Sequence, residues 1–336
     1  MRPPRFWQNP PETPGWQARA LAPASALWQL GAKIRAARTQ AYEAPVPVIC
    51  VGNLTAGGAG KTPLVAALVA ELAAMGHAPH VLSRGYGGKT AGPHLVDPTA
   101  DSAAEVGDEP LLHALFAPTW VARDRAAGAR AAAESGASAI VMDDGFQNPA
   151  VIKEIAILAV DAEDGFGNRR VIPAGPLREA LTPGLARADL AVLIGTPEMR
   201  ARAMATWPGP AGLPVIGAEI SPAETGLDLQ GQPVVAFAGI GRPEKFFDTL
   251  RGMGAQLVEA IAFDDHYLFP DAVLNRLISQ ARRAGAALIT TEKDAVRLPA
   301  RFRREVMVLP VRLRFADDAG GAAVRGLLHR LPARSG

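Results

Sequence analysis

A glycine-rich segment near the start of the chain has the residue types and spacing of a phosphate-binding loop. Residues 52–63, GNLTAGGAGKTP, follow an apolar β-branched run at 48–51 and end on a proline that suits the first turn of a helix. Backbone N–H groups of such a loop bind phosphate oxygens, the lysine reaches the β and γ phosphates, and the following hydroxyl can ligate Mg²⁺. The predicted nucleotide contacts are Thr55, Gly57, Gly58, Ala59, Gly60, Lys61 and Thr62.

One position of this loop departs from the common pattern G-x-x-x-x-G-K-[ST]. The first glycine of that pattern falls on Thr55, and the glycines at 57, 58 and 60 can supply the turn instead. An ordinary flexible connection is the alternative, but it does not require a preceding strand, a Lys-Thr pair and a following helix. Nucleotide binding is therefore the preferred interpretation.

Two adjacent acids give the second chemical signal. The apolar run at 139–142, AIVM, ends in Asp143 and Asp144, and a carboxylate at such a strand end can hold Mg²⁺ directly or through water. Successive side chains of a strand point to opposite faces, so we expect one acid to face the metal more directly than the other. A surface turn with solvated acids would give the same pattern.

Further short motifs occur in an order that resembles one enzyme family. Besides the phosphate loop, the chain contains SRGY at 83–86, VGDEP at 106–110, DDGFQ at 143–147, GPLRE at 175–179, DH at 265–266 and TEKD at 291–294. In this order they resemble the lipid A 4'-kinase family. The match runs from the phosphate loop to about residue 297 and includes loop positions, which makes it more specific than any single motif.

The resemblance implies an activity, a location and a domain arrangement. Members of that family transfer the γ-phosphoryl group of ATP to the 4'-hydroxyl of a tetraacylated glucosamine disaccharide 1-phosphate, at the cytoplasmic face of the inner membrane. The implied cofactors are ATP and Mg²⁺, and the implied partners are this lipid A precursor and the membrane surface, with the protein bound peripherally. The resemblance also implies two α/β domains, with nucleotide and sugar meeting in the cleft between them.

The resemblance assigns phosphate and metal roles to matching residues. Lys61 binds the phosphates and contributes to catalysis, and Arg178 is a further phosphate contact. Without the resemblance, Arg178 and Glu179 would be interpreted as a surface ion pair of little energetic value. The implied metal-associated residues are Thr62, Asp143, Asp144 and Glu179.

Activation of the acceptor hydroxyl is assigned to two residues far apart in the chain. The resemblance implies that Asp108 accepts the hydroxyl proton as general base and that His266 orients it and tunes its basicity. From the residues alone, Asp108 would be a helix N-cap and His266 a surface loop histidine. Tyr86 and Arg123 are implied to lie near the nucleotide or the sugar.

Two positions differ from the family pattern. The residue before Gly60, often serine in the family, is Ala59 here, and Asn148 stands where a histidine usually follows the Asp-Asp-Gly-Phe-Gln motif. An asparagine can donate or accept a hydrogen bond but does not titrate near neutral pH. A proton-transfer role for position 148 is therefore not expected.

The elements that must position these residues alternate along the chain. Apolar runs at 48–51, 80–83, 139–142 and 155–160 are separated by helical patterns, which predicts βαβ units and a mostly parallel sheet with helices on both faces. A Pro- and Gly-containing stretch precedes a second, smaller α/β pattern. The predicted fold is a P-loop NTPase-type sheet plus a smaller α/β domain, with an N-terminal segment at 1–45, a kinase core at 46–230 and a C-terminal domain at 231–336.

Composition and charge narrow the class of protein. The 336 residues are 49% hydrophobic and 20% charged, which is typical of a globular protein with a sizeable core. A formal net charge of +2 does not predict nucleic-acid binding. With Cys50 as the single cysteine no intramolecular disulfide can form, which favours a reducing cytoplasm.

An N-terminal helix is the candidate for membrane contact. Residues 24–42 place Leu27, Leu30 and Ile34 on one face at helical spacing, with basic residues off the centre of that face. This is typical of an interfacial helix. A helix packed on its own domain with solvated charges would explain the pattern equally well.

Two other functions stay open at this stage. A membrane-associated nucleotide switch ATPase would share the phosphate loop, although a deviant loop of that kind carries a lysine where Thr55 stands, and TEKD does not match the [NT]-K-x-D base-reading motif of a GTPase. A kinase of a soluble small molecule is closer in class. Only the resemblance and the N-terminal helix argue against it.

Overall fold

Short β-branched runs separated by helical segments form two sheets. The protein was analysed as a computed structural model that describes residues 3–224 and 226–331. The strands are β1 (Val48–Gly52), β2 (Pro79–Ser83), β3 (His94–Leu95), β4 (Thr119–Val121), β5 (Ala139–Asp143), β6 (Ile155–Asp161), β7 (Leu190–Ile194), β8 (Val215–Pro222), β9 (Pro233–Ala238), β10 (Gln256–Ala262), β11 (Ala287–Thr291), β12 (Met307–Leu309) and β13 (Val311–Phe315).

The helices cover both faces of these strands. They are α1 (Trp16–Arg38), α2 (Lys61–Ala74), α3 (Ala103–Val106), α4 (Asp108–His113), α5 (Arg125–Glu134), α6 (Leu181–Leu185), α7 (Pro197–Ala205), α8 (Pro243–Gly252), α9 (Asp271–Arg283), α10 (Glu292–Ala295) and α11 (Asp318–Leu328), with short 3-10 helices at Arg5–Gln8 and Ala300–Glu305.

Within the described residues, nine strands form the large sheet, in the order β13-β8-β7-β6-β1-β5-β2-β4-β3. All neighbours are parallel except the two edge pairs, β13 with β8 and β3 with β4. The core explains why β1 lies at the centre: Ile49 and Val51 pack with α2 on one face, while Val48 and Cys50 point to the other, where α5, α6 and α7 lie. A strand buried on both faces is a continuous apolar run, as the sequence predicted.

The small sheet has the order β10-β9-β11-β12 and is parallel throughout its described residues. Helices α8 and α9 cover its two faces with separate apolar clusters around Phe247 and Leu277. The fold class predicted from the sequence, a mostly parallel P-loop sheet plus a smaller α/β unit, is thereby confirmed.

The chain then returns to the large sheet, which the sequence analysis did not foresee. Strand β13 pairs antiparallel with β8, and Leu313, Val324 and Leu328 join the core cluster of α2. The range 231–336 assigned to a smaller C-terminal domain therefore contains, at 311–328, residues that complete the first sheet.

Helix α1 begins at Trp16 and ends at Arg38, whereas the sequence predicted 24–42. The difference arises at Pro23, because a proline inside a helix removes one backbone hydrogen bond and usually marks a helix start or a break. Contacts hold the helix beyond it: Ser25 Oγ donates to the carbonyl of Val171 at 2.7 Å. Across the residues that the structure describes, no helix is both long and apolar enough to cross a bilayer.

Candidate active site

The carboxyl ends of the parallel strands bring the predicted residues to one edge of the large sheet. The phosphate loop follows β1, the paired acids end β5 next to it, and the loop carrying Arg178 lies against the phosphate loop. The backbone N–H of Arg178 donates to the carbonyl of Leu54 at 2.8 Å. In doubly wound sheets this edge is where ligands bind.

The phosphate loop is held by backbone conformations that suit glycine. Gly57 and Gly60 have φ of 120° and 77°, values at which a side chain would be strained. The amide of Asn53 spans the loop by donating to the carbonyls of Thr55 and Gly57 at 2.7 and 3.3 Å. Lys61 Nζ donates to Asn53 Oδ1 at 3.3 Å, so the lysine lies folded over the loop.

Asp144 faces the cations of this loop. Its Oδ1 lies 3.6 Å from Lys61 Nζ and 2.7 Å from Arg178 Nη1. The backbone of Asp144 is left-handed, with φ of 52°, a conformation that is rare outside glycine and concentrated at functional sites. Lys61 and Arg178, both predicted to bind phosphate, thus converge on a carboxylate at this edge.

Asp143, the last residue of β5, is enclosed. Its side chain is 1% exposed, and Oδ2 lies 3.2 Å from Nε2 of His113, itself 0% exposed. Burial alone would raise the pKa of Asp143, but the hydrogen bond from His113 and the charges of Lys61 and Arg125 outweigh it and lower the pKa below its usual value. Asp143 stays ionised.

The donor set fits a magnesium ion. Asp143 Oδ1 is buried and has no hydrogen-bond partner among the described residues, and an unsatisfied buried carboxylate oxygen calls for a cation or a donor. The same residues contain no group of three acids, histidines or cysteines that could hold a metal by themselves. Mg²⁺ is usually bound by one or two carboxylates together with substrate phosphates, so this sparse set agrees with it.

Glu179 is tied into the same edge by neutral and charged donors. It accepts from Gln147 Nε2 at 3.0 Å and from Arg187 at 2.9 Å. Gln147 also donates to the carbonyl of Asn53 at 3.0 Å, which links the acid to the phosphate loop. Thr62, at the start of α2, is half-buried at the same edge.

The second group of predicted residues meets across the two sheets. Asp108, at the start of α4, is 5% exposed, and its Oδ2 lies 2.9 Å from Nδ1 of His266 in the loop after β10. Arg297 donates to the same oxygen from Nε at 3.0 Å and again from Nη2. Burial would raise the pKa of Asp108, but the hydrogen bond from His266 and the charges of Lys293 and Arg297 hold it well below its usual range.

Arg297 is itself buried and fixed by the small sheet. Its side chain is 1% exposed, and Nη1 donates to Asp294 Oδ1 at 2.9 Å and to the carbonyl of Gly239 at 2.8 Å. Burial raises the pKa of Asp294 despite these donors. Asp108 therefore lies in a pocket formed by basic residues of the small sheet.

The remaining predicted residues lie further out. Tyr86 is 71% exposed, with its ring 5.9 Å from that of His266. Arg123 lies on the exposed loop after β4, where it donates to the carbonyl of Lys89 at 3.2 Å. Asn148 Oδ1 accepts from the backbone of Ala150 at 2.8 Å, so this side chain closes its own turn, in keeping with the absence of a proton-transfer role.

Several residues of the site escaped the sequence analysis. Arg297, Lys293, Gln147 and His113 all contact a predicted residue, yet none was given a role. For Arg297 there was a weak signal, since a basic residue stands between Val296 and Leu298 and three positions after Asp294. For His113 the helical spacing from Asp108 gives no indication of what lies beside it.

Comparisons with known proteins agree with this geometry. A family model described as tetraacyldisaccharide-1-P 4'-kinase matches residues 17–329. The tetraacyldisaccharide 4'-kinase of Dinoroseobacter shibae is 56% identical over 319 residues, covering 95% of each chain, and that of Rhodospirillum centenum is 50% identical over 319 residues, covering 94% of each. A crystal structure of LpxK from Aquifex aeolicus, described as an "apo" form in complex with ATP, is similar with a TM-score of 0.74 and 28% identity, covering 93% of this chain and 98% of that one.

Proposed function

The chain belongs to the tetraacyldisaccharide-1-P 4'-kinase family, and from this premise we propose how its residues divide the work of the reaction. The protein is an ATP-dependent kinase that transfers the γ-phosphoryl group of ATP to the 4'-hydroxyl of a tetraacyl glucosamine disaccharide 1-phosphate in lipid A biosynthesis. Two observations carry the residue assignments: Lys61 and Arg178 contact Asp144, and His266 is hydrogen-bonded to Asp108. Helix α4 connects the two groups, because it begins at Asp108 and ends at His113, which contacts Asp143.

The phosphate-loop edge binds and orients the triphosphate. Backbone N–H groups of 57–62 surround the phosphates, Lys61 bridges the β and γ phosphates, and Arg178 contacts the γ-phosphoryl group. In the structure both cations rest on Asp144 at 3.6 and 2.7 Å. Bound phosphates compete for these cations, so ATP binding weakens their contact with Asp144 and frees that carboxylate.

The carboxylates of Asp143 and Asp144 and the hydroxyl of Thr62 would hold Mg²⁺, with Glu179 at the same edge of the sheet. The unpartnered Oδ1 of Asp143 is the observation that supports this assignment. When bound, Mg²⁺ neutralises charge on the phosphate oxygens. Glu179 accepts from Gln147 and Arg187, which favours a supporting role that orders the loop over direct contact.

The geometry favours His266 as the group that takes the proton, with Asp108 orienting it. A carboxylate that is buried, shared by three basic residues and lowered in pKa is a weak base. Nδ1 of His266 is bound to Asp108, which leaves Nε2, 3.8 Å from Asp265 Oδ2, as the ring nitrogen that can accept a proton. The 4'-oxygen attacks the γ-phosphorus, the bond from that phosphorus to the bridging oxygen breaks to release ADP, and Nε2 accepts the hydroxyl proton. This division reverses the roles expected from the sequence.

The two sheets act as two domains that close over the substrates. Asp108 belongs to the large sheet and His266 to the small one, so this hydrogen bond exists only when the sheets are in contact. A second contact lies at the far side, where Arg242 of the α8 N-terminus pairs with Asp161 and Glu163 at 3.0 and 2.9 Å.

The protein works at the membrane surface, on the cytoplasmic face of the inner membrane, through α1. Leu27, Leu30 and Ile34 are 71%, 54% and 43% exposed, whereas a helix that serves only to pack on its own domain would bury them. Exposed Lys33 and Arg35 can attract anionic lipid headgroups. Trp28 Nε1 donates to the carbonyl of Arg178 at 3.1 Å, so α1 also contacts the loop that binds phosphate.

Phosphate transfer tests this function directly. The purified protein is incubated with ATP labelled at the γ position and a tetraacyldisaccharide 1-phosphate in mixed micelles, and the product is located by mass spectrometry. We expect label at the 4'-oxygen. Nucleotide hydrolysis without lipid phosphorylation would favour a nucleotide switch, and transfer to the de-acylated disaccharide at an equal rate would favour a kinase of soluble substrates.

A further inference from the structure

His113 forms one of the most enclosed polar contacts in the protein. It ends the short helix α4, and its Nε2 lies 3.2 Å from Oδ2 of Asp143, with side-chain exposures of 0% and 1%. Its ring also packs edge-on against Phe116, with centroids 5.6 Å apart. Burying a polar pair to this extent costs desolvation free energy that an apolar pair would not cost. Such a pair therefore indicates a specific role.

The pattern of unpartnered atoms identifies the form of this contact. Within the described residues, His113 Nδ1 and Asp143 Oδ1 are buried without a hydrogen-bond partner. A proton on Nδ1 would be enclosed with no acceptor, so the geometry supports the neutral ring with its proton on Nε2, donated to Oδ2. One carboxylate oxygen is thereby fixed, while the other remains available.

A single donor of this kind sets the rotation of the carboxylate. With Oδ2 held, the plane of the Asp143 carboxylate cannot turn without losing its hydrogen bond in a dry environment, where such a bond is strong. Metal ligands are commonly held in this way by a second residue that never touches the metal. The backbone carbonyl of Asp143 is held separately, by Arg125 Nη2 at 3.4 Å.

The helix that carries His113 also carries Asp108. The two residues are the ends of α4, which spans Asp108–His113, and a rise of about 1.5 Å per residue separates them by roughly 7 to 8 Å along the helix. Asp108 reaches the small sheet and His113 reaches β5. The contact of His113 therefore joins two elements. One is strand β5, which carries Asp143, and the other is helix α4, which carries Asp108.

We propose that His113 is a positioning residue: it fixes Asp143 Oδ2 so that Oδ1 is presented to the divalent cation, and it ties α4 to the end of β5. The inference rests on the proposed metal role of Asp143. It makes no use of proton transfer by His113, which is enclosed on all sides.

Cation affinity measured without turnover tests this inference. Mn²⁺ binding to the full chain is followed by electron paramagnetic resonance in the presence of a non-hydrolysable ATP analogue. We expect His113→Leu to weaken Mn²⁺ binding by about 10- to 100-fold, and His113→Gln, whose amide can reach Oδ2, to stay within roughly threefold of wild type. His113→Asn, which is too short to donate there, should behave like His113→Leu.

A second buried histidine provides a matched control. His80 on β2 is 7% exposed and accepts from Trp120 Nε1 at 3.3 Å, away from the acids. His80→Leu should lower the melting temperature without changing Mn²⁺ affinity. If His113→Leu does not fold, the comparison of His113→Gln with His113→Asn decides, since both keep a polar side chain.

The outcomes separate this inference from the function on which it rests. If Asp143→Asn loses Mn²⁺ affinity, the metal role of Asp143 stands. The positioning role alone would then be overturned by wild-type affinity in His113→Leu, or by equal affinities in His113→Gln and His113→Asn. Wild-type affinity in Asp143→Asn would remove the metal role of that acid and the positioning role with it.

Discussion

His266 Nδ1 lies 2.9 Å from Asp108 Oδ2, although the two residues are 158 positions apart and belong to different sheets. The backbone of His266 is left-handed, with φ of 61°, which turns its ring back toward α4. Such strain persists only where the surrounding structure enforces it. The pair can form only when the two sheets are in contact, and in the proposed mechanism the same contact assembles the acceptor site.

When two residues act as one catalytic unit, the losses in log kcat caused by substituting each of them do not add in the double variant. We expect His266→Ala and Asp108→Ala each to lower kcat by about 10²- to 10⁴-fold with little change in the KM for ATP. The double variant should be scarcely worse than the more damaged single variant. Steady-state kinetics on all four proteins provides the check, and additive losses in log kcat would mean that the two residues act independently.

Lys61 supplies fixed positive charge to a transition state that carries charge on the phosphoryl oxygens. Lys61→Ala should therefore reduce kcat by at least about 10³-fold. Lys89→Ala, which changes a lysine outside the phosphate loop, is the control. Activity of Lys61→Ala within about tenfold of wild type would show that the loop does not bind the triphosphate in the proposed manner.

The exposed face of α1 can be tested without removing the helix. Deleting residues 1–42 would also remove the bond from Ser25 to Val171, so a triple change of Leu27, Leu30 and Ile34 to Ser is more specific. Loss of three partly inserted apolar side chains should lower binding to anionic vesicles by at least about tenfold and raise the KM for the lipid more than that for ATP. Vesicle flotation provides the measurement.

Leu115 is the matched control for this surface, because it is 60% exposed but lies in the segment after α4 and is not part of α1. Leu115→Ser should leave flotation unchanged. Equal effects of the two sets of variants would indicate general adhesion of exposed apolar groups to lipid, with no particular role for α1.

Asp108 makes the stability of the fold depend on pH in acid. Its folded-state pKa lies below the ordinary value of 3.8, so as the pH falls the unfolded chain takes up the proton first. The stabilisation is complete above about pH 5 and is lost as the pH falls through 3.8 toward the lower folded value. Asp143, also lowered in pKa, adds to the same trend.

Urea unfolding from about pH 7 to about pH 3 measures this dependence. Asp108→Asn should be less stable than wild type near neutrality, because Arg297 loses one of its two carboxylate partners and keeps only Asp294, and the stability of the variant should fall less steeply in acid. Parallel curves for the two proteins would mean that the ion pairs of Asp108 with the small sheet do not contribute.

A cluster of charges across the cleft should favour the closed arrangement. Arg242 and Lys245 face Asp161 and Glu163, with Lys245 2.7 Å from Glu163. These side chains are partly exposed, so each pair contributes at most about 1 kcal/mol and is screened by salt. Arg242→Glu should increase the radius of gyration measured by small-angle scattering.

Arg282→Glu is the control for that charge reversal, because Arg282 pairs with Glu305 at 2.8 Å on the surface of the small sheet alone. We expect Arg282→Glu to have the radius of gyration of the wild-type protein. A radius of gyration that is unaltered in Arg242→Glu would mean that Asp108 and His266 suffice to hold the sheets together.

Features that depend on residues close together in the sequence could be predicted, whereas features that depend on long-range contacts could not. The phosphate loop was recognisable because its strand, glycines, Lys61 and helix start are contiguous. Asp108 and His266 could be paired only through the family resemblance, since nothing local brings them together. Arg297 was missed because its role depends on the docking of two sheets, a long-range arrangement that no local pattern encodes.

The predicted bounds of helices and strands differ from the structure where a local sequence pattern competes with tertiary contacts. The apolar spacing predicted a helix from residue 24, but α1 begins at Trp16 and continues through Pro23, with Ser25 anchored on Val171. No strand was predicted at Val311–Phe315, and its partner β8 lies about 90 residues earlier, before the small sheet. The reversed roles proposed for Asp108 and His266 depend likewise on cations that only the folded protein places beside that acid.

The return of β13 to the large sheet has a consequence for how the chain folds while it is being synthesised. As the chain leaves the ribosome, β8 emerges with one open edge, and that edge stays unpaired until the whole small sheet and β13 have been made. An unpaired strand edge is a template for association with other chains. The small sheet, whose residues are contiguous from Pro233 to Leu309, can fold during this interval, whereas the nucleotide-binding sheet is completed last. A stop codon after the small sheet would therefore leave the earlier sheet, and not the later one, open to aggregation.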